Sequence, residues 1–112
     1  MNKLLLTLFC LGLSSSAYAK TLDKIEIPVM DNAKIFAQFN EDFPAVVNYF
    51  VKTSEEDVIS FYQNIYGEPQ LQERKRGRLT LRFAKADQMI RVIISPQNNN
   101  QQVDILIEHM QE

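Results

Sequence analysis

Four basic side chains crowd into five positions, Arg74-Lys75-Arg76-Gly77-Arg78, the densest block of positive charge in the 112-residue chain. Such a block suits one of two tasks, keeping a turn solvated or drawing in an anionic partner. Other residues with chemical potential are sparse. Glu41 and Asp42, beside Phe43, form a carboxylate pair of the kind glycoside hydrolysis uses. A sugar-holding cleft normally brings several aromatic platforms, and the chain has no tryptophan. His109 is the only histidine, and Ser54, Ser60 and Ser95 are the only serines beyond Ser16. No orienting acid or ligand spacing accompanies them, which argues against a nucleophile–base pair and against a metal. Gly67 and Gly77 are too few and too far apart for a phosphate-cradling loop. The expectation is no catalytic residue, no cofactor and no metal. A small hydrolase of envelope polymers, using Glu41 or Asp42, is the enzymatic alternative.

The start of the chain reads as an address. Lys3 precedes an apolar run from Leu4 to Leu13, and Ser14-Ser15-Ser16 lead to Ala17-Tyr18-Ala19. Small residues at the last and third-last positions mark a signal-peptidase site. The run is about half the ~20 residues needed to span a bilayer, so a cleaved signal is expected rather than a transmembrane anchor. Residues 1–19 are thus read as a signal peptide and 20–112 as a single domain, with 20–31 an extended lead-in. Cleavage removes the only cysteine, Cys10, and with it disulfide and thiol chemistry. Phe9 before Cys10 does not suit lipid attachment. A bacterial periplasm is the expected location, with secretion beyond it open.

Without Lys3, eleven basic side chains face fourteen acidic ones. Residues 20–69 hold four basic and nine acidic groups, and residues 70–112 hold seven and five. An acidic balance in an exported chain speaks against nucleic acid.

Periodicity supplies the elements that position these groups. Val58, Phe61, Tyr62, Ile65 and Tyr66 recur at helical spacing after a start at Thr53 or Ser54, and Thr53 with Glu56 has capping-box spacing. Glu55, Glu56 and Asp57 then suit the positive end of the helix dipole, and Gly67 with Pro69 ends the helix. Elsewhere the period is two. A tight turn at Ala86-Asp87 would set Phe83 opposite Ile90, Leu81 opposite Val92 and Leu79 opposite Ile94; a one-residue slip would bury Arg91. Val103, Ile105 and Ile107 form a further inward row, which brings Asp104 and Glu108 diagonally near Arg91. The tract from Gln97 to Gln102 reads as a loop, and Lys75-Arg76-Gly77 as a three-residue hairpin loop. Residues 33–39 and 45–52 read as another strand pair. The expected fold is α+β: an antiparallel sheet of about five strands with one helix packed on one face, ββαβββ-like.

The second sheet face is then left for other work. It would carry Lys34, Gln38, Thr80, Arg82, Arg91, Asp104 and Glu108, with Phe36, Phe50, Met89, Ile93 and Leu106 among them. Residues 20–30 could fold back over these apolar groups, a homodimer or partner could cover them, or a small apolar ligand could bind.

Pro28-Val29, Ala33-Lys34, Tyr49-Phe50-Val51-Lys52-Thr53 and Val58-Ile59-Ser60-Phe61-Tyr62 together resemble small uncharacterised exported bacterial domains. In these a strand ending in threonine leads into a helix with a Phe-Tyr pair, followed by a β-meander. The resemblance spans residues 28–107 and implies the α+β fold but no function. Where such domains often carry Gly-Trp after the helix, this chain has Gly67-Glu68-Pro69.

The functional expectation is a non-enzymatic exported domain that binds an envelope protein or an anionic envelope surface. Arg74, Lys75, Arg76 and Arg78 would steer the partner, and Phe36, Phe50, Ile93 and Leu106 would anchor it. An inhibitor or immunity protein that blocks a partner with an exposed loop is the second alternative.

Overall fold

The computed structural model describes residues 25–110. The signal-peptide reading, with Cys10 and Ala17-Tyr18-Ala19, lies outside them. The described chain is one antiparallel sheet with one helix: β1 (Lys34–Phe39), β2 (Ala45–Val51), α1 (Glu55–Tyr66), β3 (Leu71–Lys75), β4 (Arg78–Lys85), β5 (Gln88–Gln97) and β6 (Asn100–His109). Six strands stand in the order β1-β2-β6-β5-β4-β3, one more than expected. The α+β class and the single helix are as the periodicity implies.

The core follows from alternation. Alternate residues along β2 and through the middle of β4, β5 and β6 are buried, from Val47 and Tyr49 to Ile105 and Ile107, and Val58 and Tyr62 of α1 close over them. The register sets Phe83 opposite Ile90, Leu81 opposite Val92 and Leu79 opposite Ile94, and a one-residue slip would send Arg91 into this layer.

Of the two cap candidates, Ser54 caps α1: Asp57 N–H donates to its Oγ at 3.1 Å, while Thr53 Oγ1 donates to the Asp57 carboxylate at 2.6 Å. Three local expectations are corrected. The Arg76-Gly77 turn has two residues, not three, since Lys75 pairs with Arg78 and both turn residues take positive φ, 56° and 79°. The Gln97–Gln102 tract is mostly strand: Gln97 pairs with Asn100, so only Asn98 and Asn99 turn. A bulge between Ile35 and Ala37 shifts Gln38 to the helix side, opposite Val47.

From Ile25 onward, the lead-in lies elsewhere than over the second face. Ile25, Ile27, Val29 and Met30 pack against the buried core, and Tyr62 of the helix donates to Pro28 O at 2.8 Å. The segment therefore extends the helix layer and leaves the far sheet face uncovered by described residues. No helix among the described residues is long and apolar enough to cross a membrane.

Candidate binding face

The face away from α1 is ordered by strand pairing into rows that cross the sheet. One row runs Phe39, Val46, Leu106, Arg91, Arg82, Leu71 from β1 to β3. Its neighbour runs Ala37, Asn48, Asp104, Ile93, Thr80, Glu73. With strands about 4.8 Å apart, a six-strand row is about 24 Å long. It is apolar at its β1 end and cationic towards β4.

Arg82 and Arg91 stand directly opposite each other. Like charges in this position oppose folding unless something else compensates. Among the described residues, neither guanidinium lies within ion-pair distance of a carboxylate, and Arg82 Nε is buried with no hydrogen-bond partner. Asp104 sits diagonally to Arg91, as expected, but its carboxylate is engaged by Asn48 Nδ2 at 2.7 Å and by Gln102 Nε2 at 3.2 Å. The ladder of opposite charges is thus present in register without closing into ion pairs. Arg82 and Arg91 are site candidates that composition alone did not single out, although the alternation on β4 and β5 already sets them face to face.

The basic block divides. Lys75 and Arg78 face each other beside the Arg76-Gly77 turn and, with Glu73 and Thr80, line a shallow cleft. Arg74 points the other way, being opposite Leu79 of the inner row. It makes a two-pronged bond to Glu55 of α1, at 2.8 and 3.1 Å. That bond, and the Glu55 charge behind it, raise the Arg74 pKa above its ordinary value. Glu55 thereby holds Arg74 on the helix side, whereas the register places Arg82 and Arg91 on the far face with Lys75 and Arg78.

The apolar group divides as well. Phe36 and Phe50 stack with ring centres 4.8 Å apart at the β1 corner. Leu106 and Ile93 are diagonal neighbours near the middle of the sheet. The Asn48–Asp104 hydrogen bond lies between the two groups, so they do not form one patch. Phe39, 69% exposed, and Ile35, 44% exposed, add to the β1 end, though Ile35 projects on the helix side opposite Tyr49.

The residues weighed for catalysis lie apart from this face's arginines. Glu41 and Asp42 are exposed in the β1–β2 connection with Phe39, Asn40 and Pro44 around them. His109 packs on Phe43 at 3.9 Å between ring centres and holds Nδ1 3.9 Å from Asp87 at the exposed end of β6. Among the described residues, no three His, Cys, Asp or Glu side chains gather as a metal site would require. The chain matches no family model, no curated protein and no solved structure.

Proposed function

We propose that this is a non-enzymatic exported domain of the periplasm whose open sheet face holds an acidic segment of an envelope protein. The observation that carries this reading is the Arg82–Arg91 pair, two cations aligned side by side with no carboxylate among the described residues within ion-pair distance. A carboxylate on a partner would bridge them with charge-assisted hydrogen bonds and relieve their repulsion. Lys75, Arg76 and Arg78 at the nearby turn lengthen the field that steers such a segment. Leu106 and Ile93 beside the pair, and Phe36 with Phe50 beyond it, supply apolar contact.

A protein partner is preferred to a lipid surface because the face also carries Asp104, Glu108 and Glu73. Mixed signs suit a patterned surface, whereas a uniformly anionic layer would repel these carboxylates and the net −2 chain. The blocking-loop reading is weaker, since the turns joining β3 to β6 each have two residues and reach nowhere.

Titration of the exported full-chain protein with polyglutamate at low and raised salt tests the proposal. Saturable, salt-sensitive binding that Arg82→Gln/Arg91→Gln abolishes and Arg74→Gln spares is the expected result. Binding indifferent to the double substitution would remove the site. Binding to anionic vesicles alone would replace the protein partner with lipid.

A further inference from the structure

At the corner of the sheet where β1 begins and β2 ends, an open cleft of about 490 Å³ is lined by Asn32, Lys34, Phe50, Val51, Lys52 and Asn100. Strand pairing brings these residues together. Lys34 stands opposite Phe50, and Lys52 and Asn100 lie one step beyond the last β2–β6 pair, Val51 with Gln101. The backbone around the cleft is pinned. Ala33 N–H donates to Met30 O at 3.2 Å, closing a turn in which Asn32 takes a φ of 67°. Gln101 Nε2 donates to Thr53 O at 3.4 Å and so holds the exit from β2. The side chains of Asn32, Lys34, Lys52 and Asn100, by contrast, make no hydrogen bond or ion pair with any described residue. No carboxylate of the described residues lines the cleft, and Asp31, in the adjoining hollow, pairs with neither lysine.

We propose that this cleft binds one acidic sugar unit, a hydroxylated ring bearing a single carboxylate or phosphate. Two unpaired ammonium groups favour an anion, and as compact charges with rotatable donors they hold either kind. The two carboxamides each offer donors and an acceptor, which matches the hydroxyls of a sugar. Phe50, half-buried and braced by its stack with Phe36, supplies an apolar wall for the C–H face of the ring. The volume lies within the range of small-ligand clefts, about 300–1,000 Å³. A neutral sugar would leave both ammonium groups unused, and a bare anion would leave the carboxamides and the ring wall unused. The cleft shares no charged residue with the pair Arg82 and Arg91 on β4 and β5, so either reading survives the loss of the other.

Calorimetric titration of the exported full-chain protein at low salt with glucuronate, glucose monophosphate, glucose and inorganic phosphate tests the proposal. At least one of the two acidic sugars is expected to bind saturably and more tightly than either glucose or phosphate. Lys34→Gln and Lys52→Gln are each expected to weaken that binding about tenfold, the usual loss for one hydrogen bond to a charged group. Arg82→Gln/Arg91→Gln is expected to leave it unchanged. Tighter binding of glucuronate assigns the cleft to a carboxylated ring, and tighter binding of glucose monophosphate to a phosphorylated one. Failure of both acidic sugars to saturate the protein overturns the proposal. Inorganic phosphate binding as tightly as the sugars, or sugar binding that survives Lys34→Gln/Lys52→Gln, overturns it too.

Discussion

The hydroxyls of Tyr49 and Tyr62 meet 2.8 Å apart in a core with no other buried polar side chain among the described residues. Tyr62 gives its proton to Pro28 O, so Tyr49 must donate to Tyr62, and the Met30 backbone bonds Tyr49 in turn. This chain of bonds ties the sheet, the helix and the lead-in together. Tyr62→Phe leaves the Pro28 carbonyl without this bond and the Tyr49 hydroxyl proton without its acceptor, and is expected to cost about 1–3 kcal/mol in urea unfolding. Tyr49→Phe leaves the Pro28 bond intact and is expected to cost less. The double variant is expected to lose less than the two single losses together. Additive losses would mean that the hydroxyls act independently.

Burial raises the pKa values of Tyr49, Tyr62 and Tyr66, and the neighbouring Tyr49 raises that of Tyr62 further. Folding therefore favours the neutral phenols. Their contribution is fully present below the unfolded tyrosine value of about 10 and is lost as pH rises above it. The urea midpoint is expected to fall steeply there, with tyrosinate absorbance appearing only as the chain unfolds. Free ionisation near pH 10 (the ordinary tyrosine value) without loss of structure would contradict this.

Ser54→Ala is expected to cost about 1 kcal/mol, the usual loss for a helix N-cap. Thr53→Ala, which leaves the Ser54–Asp57 bond in place, is expected to cost less. Chemical denaturation of the two variants gives the ranking, and the opposite order would return the cap to Thr53.

Arg91→Gln separates stability from binding. Removing one of two opposed cations is expected to stabilise the unliganded fold by about 0.2–1 kcal/mol. The same change is expected to weaken polyglutamate binding. A destabilised Arg91→Gln protein would mean that its guanidinium is held by the fold rather than kept for a ligand.

The β4–β6 registers were readable because their inward residues are all aliphatic or aromatic and a slip would bury Arg91. The Gln97–Gln102 tract misled for the complementary reason: backbone ladders form without regard to polar side chains, and Ser95–Gln97 had strand partners waiting. The bulge at Phe36 left no mark in alternation, since Ile35, Phe36 and Ala37 are all apolar. Arg74 looked like part of the basic tip until strand parity turned it towards Glu55. The lead-in, with Ile25, Ile27 and Val29 alternating, fitted either side of the sheet. The needs of two buried tyrosine hydroxyls decided the side, and their meeting depends on residues 13 positions apart across a strand and a helix.

The unlike edges of the sheet, β1 and β3, limit growth. Two identical sticky edges would let copies add end to end into a ribbon, the geometry of a fibre. Here one margin is apolar and the other is lined with glutamate, arginine and lysine. A second sheet meeting the β3 margin would face these charges and not an apolar strand, so edge-to-edge addition cannot proceed through that side. The sheet carries its own stop signal against polymerisation, written in residues 72–75.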